Sequence, residues 1–376
     1  LDLAVIRISS EARHRIKWTF LEGITVPYPP ALRRGIQTLI AAPAPSLDIT
    51  LRLDQRLGIF FGETAKKYLT ALARRGIGVD AVASHGQTVR HLPETVRVAG
   101  QPIRATMQIG APEQIAARTG KVTVAQFRQA DLALGGEGAP ITTAAMFHLF
   151  ADKKESRLIV NIGGIANYFY FPAGKAITSA RAADCGPGNS LLDGLAAELF
   201  NRRFDSDGRL AARGTVSSSL LRKLLSHRFL RSRQISTGRE EFGPALVDKI
   251  LTWGRADGLS KYDVLTTATE FTAVAIQRAL KRLPLDRPRT KLYLTGGGAH
   301  NSFLVSRLVT LSEGMEVSSI DALGIPADLV EAAGFAVMGD AALRGVAWPT
   351  KFDGRQRRKW PVAGAIIQPP TVAKEK

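Results

Sequence analysis

Apolar and polar positions alternate near the start of the chain in "LAVIRI" (3–8), which is typical of a half-buried strand. "RIKWTFLE" (15–22) predicts a second strand. The stretch at 48–75 carries an apolar stripe at helical spacing and ends at Gly76, so it predicts a long helix. Further elements predicted in this half are a helix at 29–42, a short buried strand running into a loop at 80–88, strands at "ATMQIG" and "KVTVAQF", and a helix at 139–150.

The pattern starts again near residue 157. "RLIVNIGGIANYFYF" predicts two strands around a glycine turn, and "ITSARAADCGPGN" predicts a third. Strand hairpins followed by alternating helices and strands thus occur twice, which predicts an α/β fold of two domains, 1–150 and 151–376. The last helix either stays in the second domain or returns to the first. The later predicted elements are helices at 189–202, 241–257, 261–283 and 327–346 and a strand at 291–295.

Composition narrows the class of protein. The chain has 376 residues, 45% of them hydrophobic, and no apolar run approaches the ~20 residues of a membrane span. Its single cysteine, Cys185, excludes an internal disulfide and indicates a reducing compartment, so we expect a cytoplasmic protein. The six histidines are not closely paired and give no zinc signature, and we expect no metal-ligand cluster.

The net charge of +18 raises the question of a nucleic-acid partner. The basic residues are scattered, with short clusters such as "RHRIK", "RFLRSR" and "RQRRK", and no zinc finger or base-reading helix accompanies them. We therefore expect neither a specific nucleic acid nor a membrane as partner. Attraction to a small anionic substrate is the simpler interpretation.

Three glycine-rich turns are candidates for phosphate binding: "NIGGIAN" (161–167), "DCGPGN" (184–189) and "TGGGAHN" (295–301). Glycine lets backbone N–H groups approach phosphate oxygens, and a following helix N-terminus adds a positive dipole end. Ordinary strand-to-helix turns also use glycine, so any one turn is a weak signal. None has the Walker or the dinucleotide spacing.

Asp184 lies at the entrance of the second turn. A carboxylate there could take a proton from an attacking water, hold Mg²⁺ beside phosphates, or cap the next helix. Asn189 is better placed for the cap, which leaves Asp184 for chemistry.

Polar side chains that could bind a substrate occur elsewhere. "SHGQT" places His85, Gln87 and Thr88 where a buried strand is predicted to end. Arg128 could hold a carboxylate or sugar hydroxyls with its forked guanidinium. Glu331 lies on an otherwise apolar helix face, which indicates either a buried partner or a function. A lone histidine is more often structural.

Seven motifs in order resemble the anhydro-N-acetylmuramic acid kinase family. They are "SHGQTVRHLP", "QFRQADLALGGEGAP", "NIGGIAN", "DCGPGNSLLD", "STGREEF", "LTGGGAHN" and "GIPADLVEAAGFA". The resemblance implies the sugar kinase, actin and chaperone ATPase superfamily, with two RNase-H-like domains and an interdomain cleft for ATP and sugar. It implies an enzyme that opens the 1,6-anhydro bridge with water and phosphorylates O6 at the expense of ATP, giving N-acetylmuramic acid 6-phosphate for peptidoglycan recycling.

The resemblance also implies roles for residues. Asp184 matches the catalytic aspartate that deprotonates the water. Positions near the sugar are matched by His85, Gln87, Thr88, Arg128 and Glu331. Positions near ATP and its Mg²⁺ are matched by Asp2, Gly186, Gly188, Asn189, Gly296, Gly297 and Gly298. Family members tend to form homodimers, although the sequence shows no interface.

The sequence departs from the family pattern in places. The family's first phosphate loop ends in an Asp-Gly-x-Asp stretch of which only Leu1 and Asp2 remain, so we expect that loop to be largely absent. Ala111 and Ala363 stand where aspartate and threonine are usual. Two alternatives follow: a kinase for another anhydro-sugar such as levoglucosan, or a non-catalytic nucleotide-binding relative.

Overall fold

The structure is a computed structural model that describes residues 1–12, 15–231, 237, 239–312, 314–350, 352 and 360–370. It divides into two compact units. Unit 1 takes the described residues within Leu1–Leu149, Leu329–Lys351 and Gln356–Lys376, and unit 2 those within Phe150–Asp328 and Phe352–Arg355. In this described part of the chain, no helix is both long and apolar enough to cross a membrane.

The first part of unit 1 begins with the predicted hairpin and two helices. Ser46 caps the long helix by accepting a hydrogen bond from the Ile49 N–H, and Gly76 follows its end with φ +76°. The strands are β1 (Asp2–Ala12), β2 (Arg15–Thr25), β3 (Ala81–Ala83), β4 (Gln87–Val98), β5 (Gln101–Ile109) and β6 (Val122–Ala125). The helices are α1 (Pro30–Ala41), α2 (Leu47–Arg74), α3 (Pro112–Thr119), α4 (Gln129–Ala133) and α5 (Thr143–Phe150).

Unit 2 continues with strands β7 (Ser156–Ile162), β8 (Ile165–Phe171), β9 (Arg181–Pro187), β10 (Thr290–Thr295) and β11 (Glu316–Ser319). Its helices are α6 (Asn189–Phe200), α7 (Ser218–Leu225), α8 (Arg228–Arg231), α9 (Arg239–Phe242), α10 (Pro244–Ala256), α11 (Lys261–Leu280) and α12 (Ser302–Leu311). The chain then returns to unit 1 with α13 (Val330–Leu343) and β12 (Ala365–Ile367).

The five strands of unit 2 form one sheet in the order β11-β10-β7-β8-β9. β7, β8 and β9 are antiparallel neighbours, whereas β7, β10 and β11 run parallel. Numbered along the chain this is the order 5-4-1-2-3, the arrangement of an RNase-H-like domain. The α11 helix packs many buried residues against this sheet, Phe271 and Ile276 among them. The predicted α/β class is confirmed.

Unit 1 has smaller sheets among its described residues. β1 pairs with β2, β4 pairs with β5, and β12-β6-β3 form a three-stranded sheet in which β3 and β6 are parallel. Helix α13 packs against β1, β3 and β6. Its glycines allow this close approach: a Cβ at Gly339 would lie 2.8 Å from the Ala83 Cβ.

Two predictions of secondary structure are wrong in detail. Gln87 and Thr88 were expected in a loop, but they begin β4 because they pair with Ile109 and Gln108 of β5. The helix expected at 241–257 is broken at Gly243, which ends α9 and precedes Pro244 at the first turn of α10.

Candidate active site

A row of polar residues crosses the sheet of unit 2 near one end. Thr295 on β10 is the register partner of Asn161 on β7, Asn161 is the partner of Asn167 on β8, and Asn167 is the partner of Asp184 on β9. Residues in register on adjacent strands present side chains as direct neighbours. The topology thereby brings a carboxylate, two amides and a hydroxyl from distant parts of the sequence into one row.

Glycine turns gather at the same end of the sheet. A Cβ at Gly296, where φ is +79°, would lie 2.3 Å from Asn161 Oδ1 and 2.9 Å from the Ile162 carbonyl oxygen. One at Gly298 would lie 2.3 Å from the Ile162 Cγ2, and one at Gly188 would lie 2.4 Å from the Gly163 carbonyl oxygen. Because real Cβ contacts are never this short, the three predicted turns can meet only through bare backbone.

Several backbone N–H groups of the "DCGPGN" turn are already used inside the protein. The amides of Gly188 and Ser190 donate to the Gly164 carbonyl at 3.2 and 3.1 Å, and the Asn189 amide donates to the Gly163 carbonyl at 2.8 Å. The glycine at 188 therefore has a packing role that the sequence did not reveal. A phosphate at this turn would have to use other donors or compete with these three bonds.

Asn189 does not cap α6, contrary to the sequence-based expectation. It is the first residue of the helix, Gly188 occupies the capping position, and no side-chain cap is formed. The Asn189 Nδ2 instead donates to the Ile162 carbonyl at 3.0 Å. A Cβ built at Gly298 would lie 3.0 Å from Asn189 Oδ1, so the Asn189 side chain packs closely against the turn at 298.

Asp184 accepts a hydrogen bond from the Thr237 N–H at 2.8 Å. Two buried oxygens near this carboxylate, Asn167 Oδ1 and Thr237 Oγ1, have no hydrogen-bond partner among the described residues. Buried polar atoms are rarely left unsatisfied, so their presence indicates a position for water or a ligand hydroxyl. Neither Asn167 nor Thr237 was predicted as a site residue, although they lie in the motifs "NIGGIAN" and "STGREEF".

Cys185, beside the carboxylate, is fully buried and free. Burial raises the pKa of its thiol well above the usual value, and the charge of Asp184 raises that pKa further. Because the thiolate is the nucleophilic form, Cys185 is not a nucleophile at neutral pH.

In unit 1, His85 and Arg128 form a bonded pair. Arg128 Nε donates to His85 Nε2 at 2.9 Å, and Arg128 Nη1 donates to the Gly138 carbonyl at 2.6 Å. His85 stacks on Phe335 with ring centroids 4.6 Å apart, and its Nδ1 lies 3.1 Å from the Gly86 carbonyl oxygen. Since Nε2 accepts from the guanidinium, the proton of the neutral ring lies on Nδ1 and donates to that carbonyl.

Burial sets the charge states of this pair. Desolvation, together with the nearby Arg128 charge, lowers the pKa of His85 to about 3, so the imidazole is neutral at physiological pH. Desolvation also lowers the pKa of Arg128 to about 10, while Glu331 opposes that shift. Arg128 keeps its positive charge at neutral pH.

Glu331, at the start of α13, lines a cavity of about 810 Å³ in unit 1 together with His85, Gln87 and Thr88. Glu331 is exposed by its surface area, although protein atoms surround much of its carboxylate. Desolvation raises the pKa of Glu331, Arg128 counteracts this, and Asp2 adds to the rise. The cavity therefore has a polar end lined by Asp2, His85 and Glu331, and Arg128 is bonded to the lining His85.

The other predicted residues of unit 1 lie near this end. The Gln87 Oε1 accepts a hydrogen bond from the Tyr28 hydroxyl at 3.5 Å, and the Thr88 Oγ1 accepts one from Gln108 Nε2 at 3.2 Å. Asp2 Oδ1 accepts a hydrogen bond from the Thr25 hydroxyl at 2.6 Å and lines the same cavity. The structure thus brings Asp2, predicted near ATP, together with residues predicted near the sugar.

Asp131, named in one of the motifs, has a structural role. It is buried, accepts hydrogen bonds from the Gly138 N–H at 2.8 Å and the Thr350 hydroxyl at 2.5 Å, and leaves no room for a Cβ at Gly136. It thereby fixes the loop whose Gly138 carbonyl binds Arg128.

No group of three or more histidine, cysteine or acidic side chains that could hold a metal ion occurs in the part of the chain that the structure describes. Any metal at these residues would need other ligands, such as the oxygens of a bound phosphate.

The fold and these two clusters define an α/β protein in which at least one unit has RNase-H-like topology. The sequence model of the family described as anhydro-N-acetylmuramic acid kinase matches residues 1–358, and the chain belongs to that family. The relative from Salinibacter ruber, named anhydro-N-acetylmuramic acid kinase, is 39% identical over 325 residues, which are 86% of this chain and 82% of the relative. The relative of the same name from Clostridioides difficile is 34% identical over 345 residues, 91% of this chain and 88% of the relative.

Among solved structures, the activator of the 2-hydroxyisocaproyl-CoA dehydratase from Clostridium difficile, with bound ADPNP, matches with a TM-score of 0.37 and 13% identity. The match covers 65% of this chain and 89% of that one. With a TM-score this low, the fold class rests on the topology of unit 2 and on the family.

Proposed function

We propose that this chain is a kinase for 1,6-anhydro-N-acetylmuramic acid that uses ATP. A water attacks the anomeric carbon and gives its proton to Asp184, the bond from that carbon to the bridging oxygen breaks, and the freed O6 takes the γ-phosphoryl group. The products are N-acetylmuramic acid 6-phosphate and ADP. The assignment of Asp184 as the base is supported by two buried oxygens beside its carboxylate that have no hydrogen-bond partner among the described residues.

We place the phosphates of ATP at the glycine turns of unit 2. Gly296, Gly297 and Gly298 follow the buried strand β10, and Gly186, Gly188 and Asn189 follow β9. The internal hydrogen bonds at 188–190 fix the shape of the turn, which favours a preorganised phosphate site over a flexible one. Phosphoryl transfer depends on such positioning more than on covalent chemistry.

We place the sugar at the polar end of the unit 1 cavity. Arg128, which is bonded to the cavity-lining His85, would offer a cation to the lactyl carboxylate of the muramic sugar, and a guanidinium recognises a carboxylate better than a neutral hydroxyl. Glu331, Gln87 and Thr88 offer acceptors and donors to sugar hydroxyls and the acetamido group. The neutral His85 holds Arg128 by accepting its Nε–H. Recognition of an anion at this position favours the muramic sugar over levoglucosan, which has no carboxylate.

Mg²⁺ belongs to the proposal as the partner of ATP. Mg²⁺ in such sites is held by one or two carboxylates, water and substrate phosphates, and the Asn167 Oδ1 is an oxygen ligand of the hard type it prefers, while Asp184 is kept for the proton of the water. Mg²⁺ would neutralise charge on the phosphates. We also propose that the protein is cytoplasmic, as its single cysteine indicates, and that it forms a homodimer, as the family resemblance implies.

Asp184→Asn tests the assignment of the base. We expect kcat to fall by about 100-fold or more, the usual scale for loss of a positioned base, because the amide cannot take the proton of the water. Transfer of phosphate from Mg-ATP is measured with anhydro-N-acetylmuramic acid and, in parallel, with levoglucosan.

The matched control is Asp248→Asn, an exposed carboxylate on α10 that we expect to leave kcat unchanged. Equal activity of Asp184→Asn and Asp248→Asn would reject Asp184 as the base. Faster turnover of levoglucosan than of the muramic sugar would make levoglucosan the proposed substrate and would leave the proposed mechanism unchanged. Nucleotide binding without transfer to either sugar would favour a non-catalytic relative.

A further inference from the structure

The hairpin formed by β4 and β5 has one apolar face and one polar face. Its register pairs Leu92 with Ala105 and Val96 with Ile103. Side chains directly opposite each other in an antiparallel pair share a face, and every second residue along a strand returns to that face. The apolar hairpin face therefore consists of Leu92, Val96, Val98, Ile103, Ala105 and Met107. The opposite face includes His91, Arg104, Thr106 and Gln108.

The polar face is the one turned toward the rest of unit 1. Arg104 Nη1 donates to the Gly135 carbonyl at 3.0 Å, and α4 packs against β5. Both ring nitrogens of His91 and the Arg104 Nε are buried. Along β5, Arg104, Thr106 and Gln108 are partly buried, whereas the apolar residues from 103 to 107 are exposed. The hairpin thus reverses the usual arrangement of an antiparallel sheet, in which the apolar face packs on the core and the polar face meets water.

The apolar hairpin face continues outward from the core of unit 1. Ile109, at the inner end of the same face, is 1% exposed and belongs to a core cluster with residues of α1 and α2. Farther out, the exposed fractions are 39% at Met107, 43% at Ile103, 49% at Leu92, 58% at Val98 and 60% at Val96. A contiguous exposed apolar surface of this kind marks a site of interaction.

Charge indicates what can cover this face. None of its six side chains is charged, and Arg90, at its inner end, donates through Nη2 to the Ala42 carbonyl at 2.7 Å. The chain carries a net charge of +18, so two copies repel each other wherever their basic surfaces meet. An uncharged apolar face is a surface at which two copies can meet without that repulsion. The same patch on both copies also satisfies the self-complementarity of a two-fold contact.

The area of the face fits a contact between two copies. The exposed parts of its five large side chains amount to roughly half of the ~800 Å² per partner that a standard interface buries. Arg90 of β4 binds Ala42, and α2 begins five residues later at Leu47. There Leu47 and Leu51, about one helical turn apart, are 70% and 54% exposed and add apolar surface near the hairpin.

We propose that two copies of this chain pair through their apolar hairpin faces, packed one on the other across a two-fold axis. Packed sheets lie about 10 Å apart, with the side chains of one between those of the other. Val96 and Ile103, opposite each other in the hairpin, lie at the centre of the contact, and Leu47 and Leu51 lie toward its border. This inference adds to the homodimer proposed above the surface at which the copies meet. It does not depend on the proposed kinase activity, because its test measures association alone.

Val96→Lys tests the centre of this contact. The dissociation constant of the dimer is measured by sedimentation over a series of protein concentrations. We expect it to rise by about 100-fold or more, because the two-fold axis brings two added like charges together in an apolar contact. Val309→Lys is the matched control: Val309 is an apolar residue of α12 that is 51% exposed, and its replacement should leave the dissociation constant unchanged.

Crosslinking is a second measurement that does not require the dimer to be weakened. Cys185 is buried and is the only cysteine of the chain, so a bifunctional maleimide reacts with an introduced cysteine alone. We expect crosslinked dimers of Val96→Cys and none of Val309→Cys. Equal dissociation constants of the two lysine variants, or equal crosslinking of the two cysteine variants, would overturn the proposal. A wild-type chain that stays monomeric at every concentration would also overturn it and would leave a different protein as the occupant of the face.

Discussion

The strands of unit 1 and unit 2 have similar directions, but among the described residues only unit 2 joins them into one five-stranded sheet. In unit 2, β7 pairs antiparallel with β8 of the β8–β9 hairpin and parallel with β10 of the β10–β11 pair. The five strands therefore form one sheet. In unit 1 the hairpin β1–β2 and the parallel pair β3–β6 have the same directions but belong to separate sheets. Unit 2 has β7 between its hairpin and its parallel pair, whereas the described part of unit 1 has no strand there. The apolar residues of β7 are buried, and those of β1 and β3 are only partly buried.

The candidate sites of the two units are also formed by different parts of the polypeptide, backbone in unit 2 and side chains in unit 1. Unit 2 uses backbone: glycine turns pack within distances that no side chain would allow, at the end of a polar row. Unit 1 uses side chains: Arg128 lowers the pKa of His85, and Arg128 and Glu331 oppose each other's desolvation shifts beside a cavity. An added side-chain atom should therefore disturb the glycine turns of unit 2. A change of pH should instead affect the cluster in unit 1, through protonation of its side chains.

The largest effect is expected when a methyl group is added to the backbone site. Gly296→Ala places a Cβ 2.3 Å from Asn161 Oδ1 and 2.9 Å from a carbonyl, at a left-handed φ of +79°. We expect a loss of about 3 kcal/mol or more in the free energy of unfolding, since steric overlap adds to backbone strain of about 1 kcal/mol or more.

Gly324→Ala is its control, because Gly324 has φ +90° but nothing within 4 Å of an added Cβ. The control should lose only the strain component. Chemical denaturation measures both, and similar losses in the two variants would show that the turns of unit 2 are not closely packed.

A matched pair of core substitutions compares the two sheets directly. Val160→Ala on β7 removes a side chain with 0% exposure, and Val5→Ala removes one that is only partly buried on β1. We expect losses of about 2 kcal/mol for Val160 and under about 1 kcal/mol for Val5, because the cost grows with burial and with the cavity left behind.

Chemical denaturation of both variants measures these losses. Equal losses for Val5→Ala and Val160→Ala would contradict the difference in burial between the units.

The last expected effect is a pH dependence from unit 1, which develops only below pH 6.5. The folded-state pKa of His85, about 3, lies below the ordinary value of 6.5, so unfolding takes up a proton between these values. The stability linked to neutral His85 is therefore complete above pH 6.5 and is lost as the pH falls from 6.5 toward 3, by at most about 1.4 kcal/mol per pH unit.

Urea unfolding of the wild type and His85→Asn at pH 7, 5.5 and 4.5 measures this contribution. The wild type should lose stability more steeply than the variant on acidification. Parallel curves would mean that His85 titrates normally.

Much of unit 2 could be predicted from its sequence because its signals are local. "RLIVNIGGIANYFYF" contains two apolar runs around a glycine pair, and the structure forms β7 and β8 there. The helix predicted at 261–283 appears as α11, with a capping box at Ser260 and Asp263. Residues in such elements receive their conformation from near neighbours.

The register of strands could not be predicted, because it depends on pairing across long stretches of chain. Nothing near Asn161 or Asn167 in the sequence shows that both stand in a row with Asp184. For the same reason a loop was predicted at Gln87 and Thr88, although β5 pairs with them about 20 residues later. The role of Asn189 was missed because its partner, the Ile162 carbonyl, lies 27 residues away.

The hydrogen bonds of Arg128 have a consequence for entropy. A free arginine loses on the order of 1.5–2 kcal/mol of rotamer freedom when a ligand immobilises it. Here the Nε bond to His85 and the Nη1 bond to Gly138 restrict the side chain during folding. An anion that binds the remaining Nη2 meets a guanidinium whose motion is already limited, so more of the interaction energy is left for affinity.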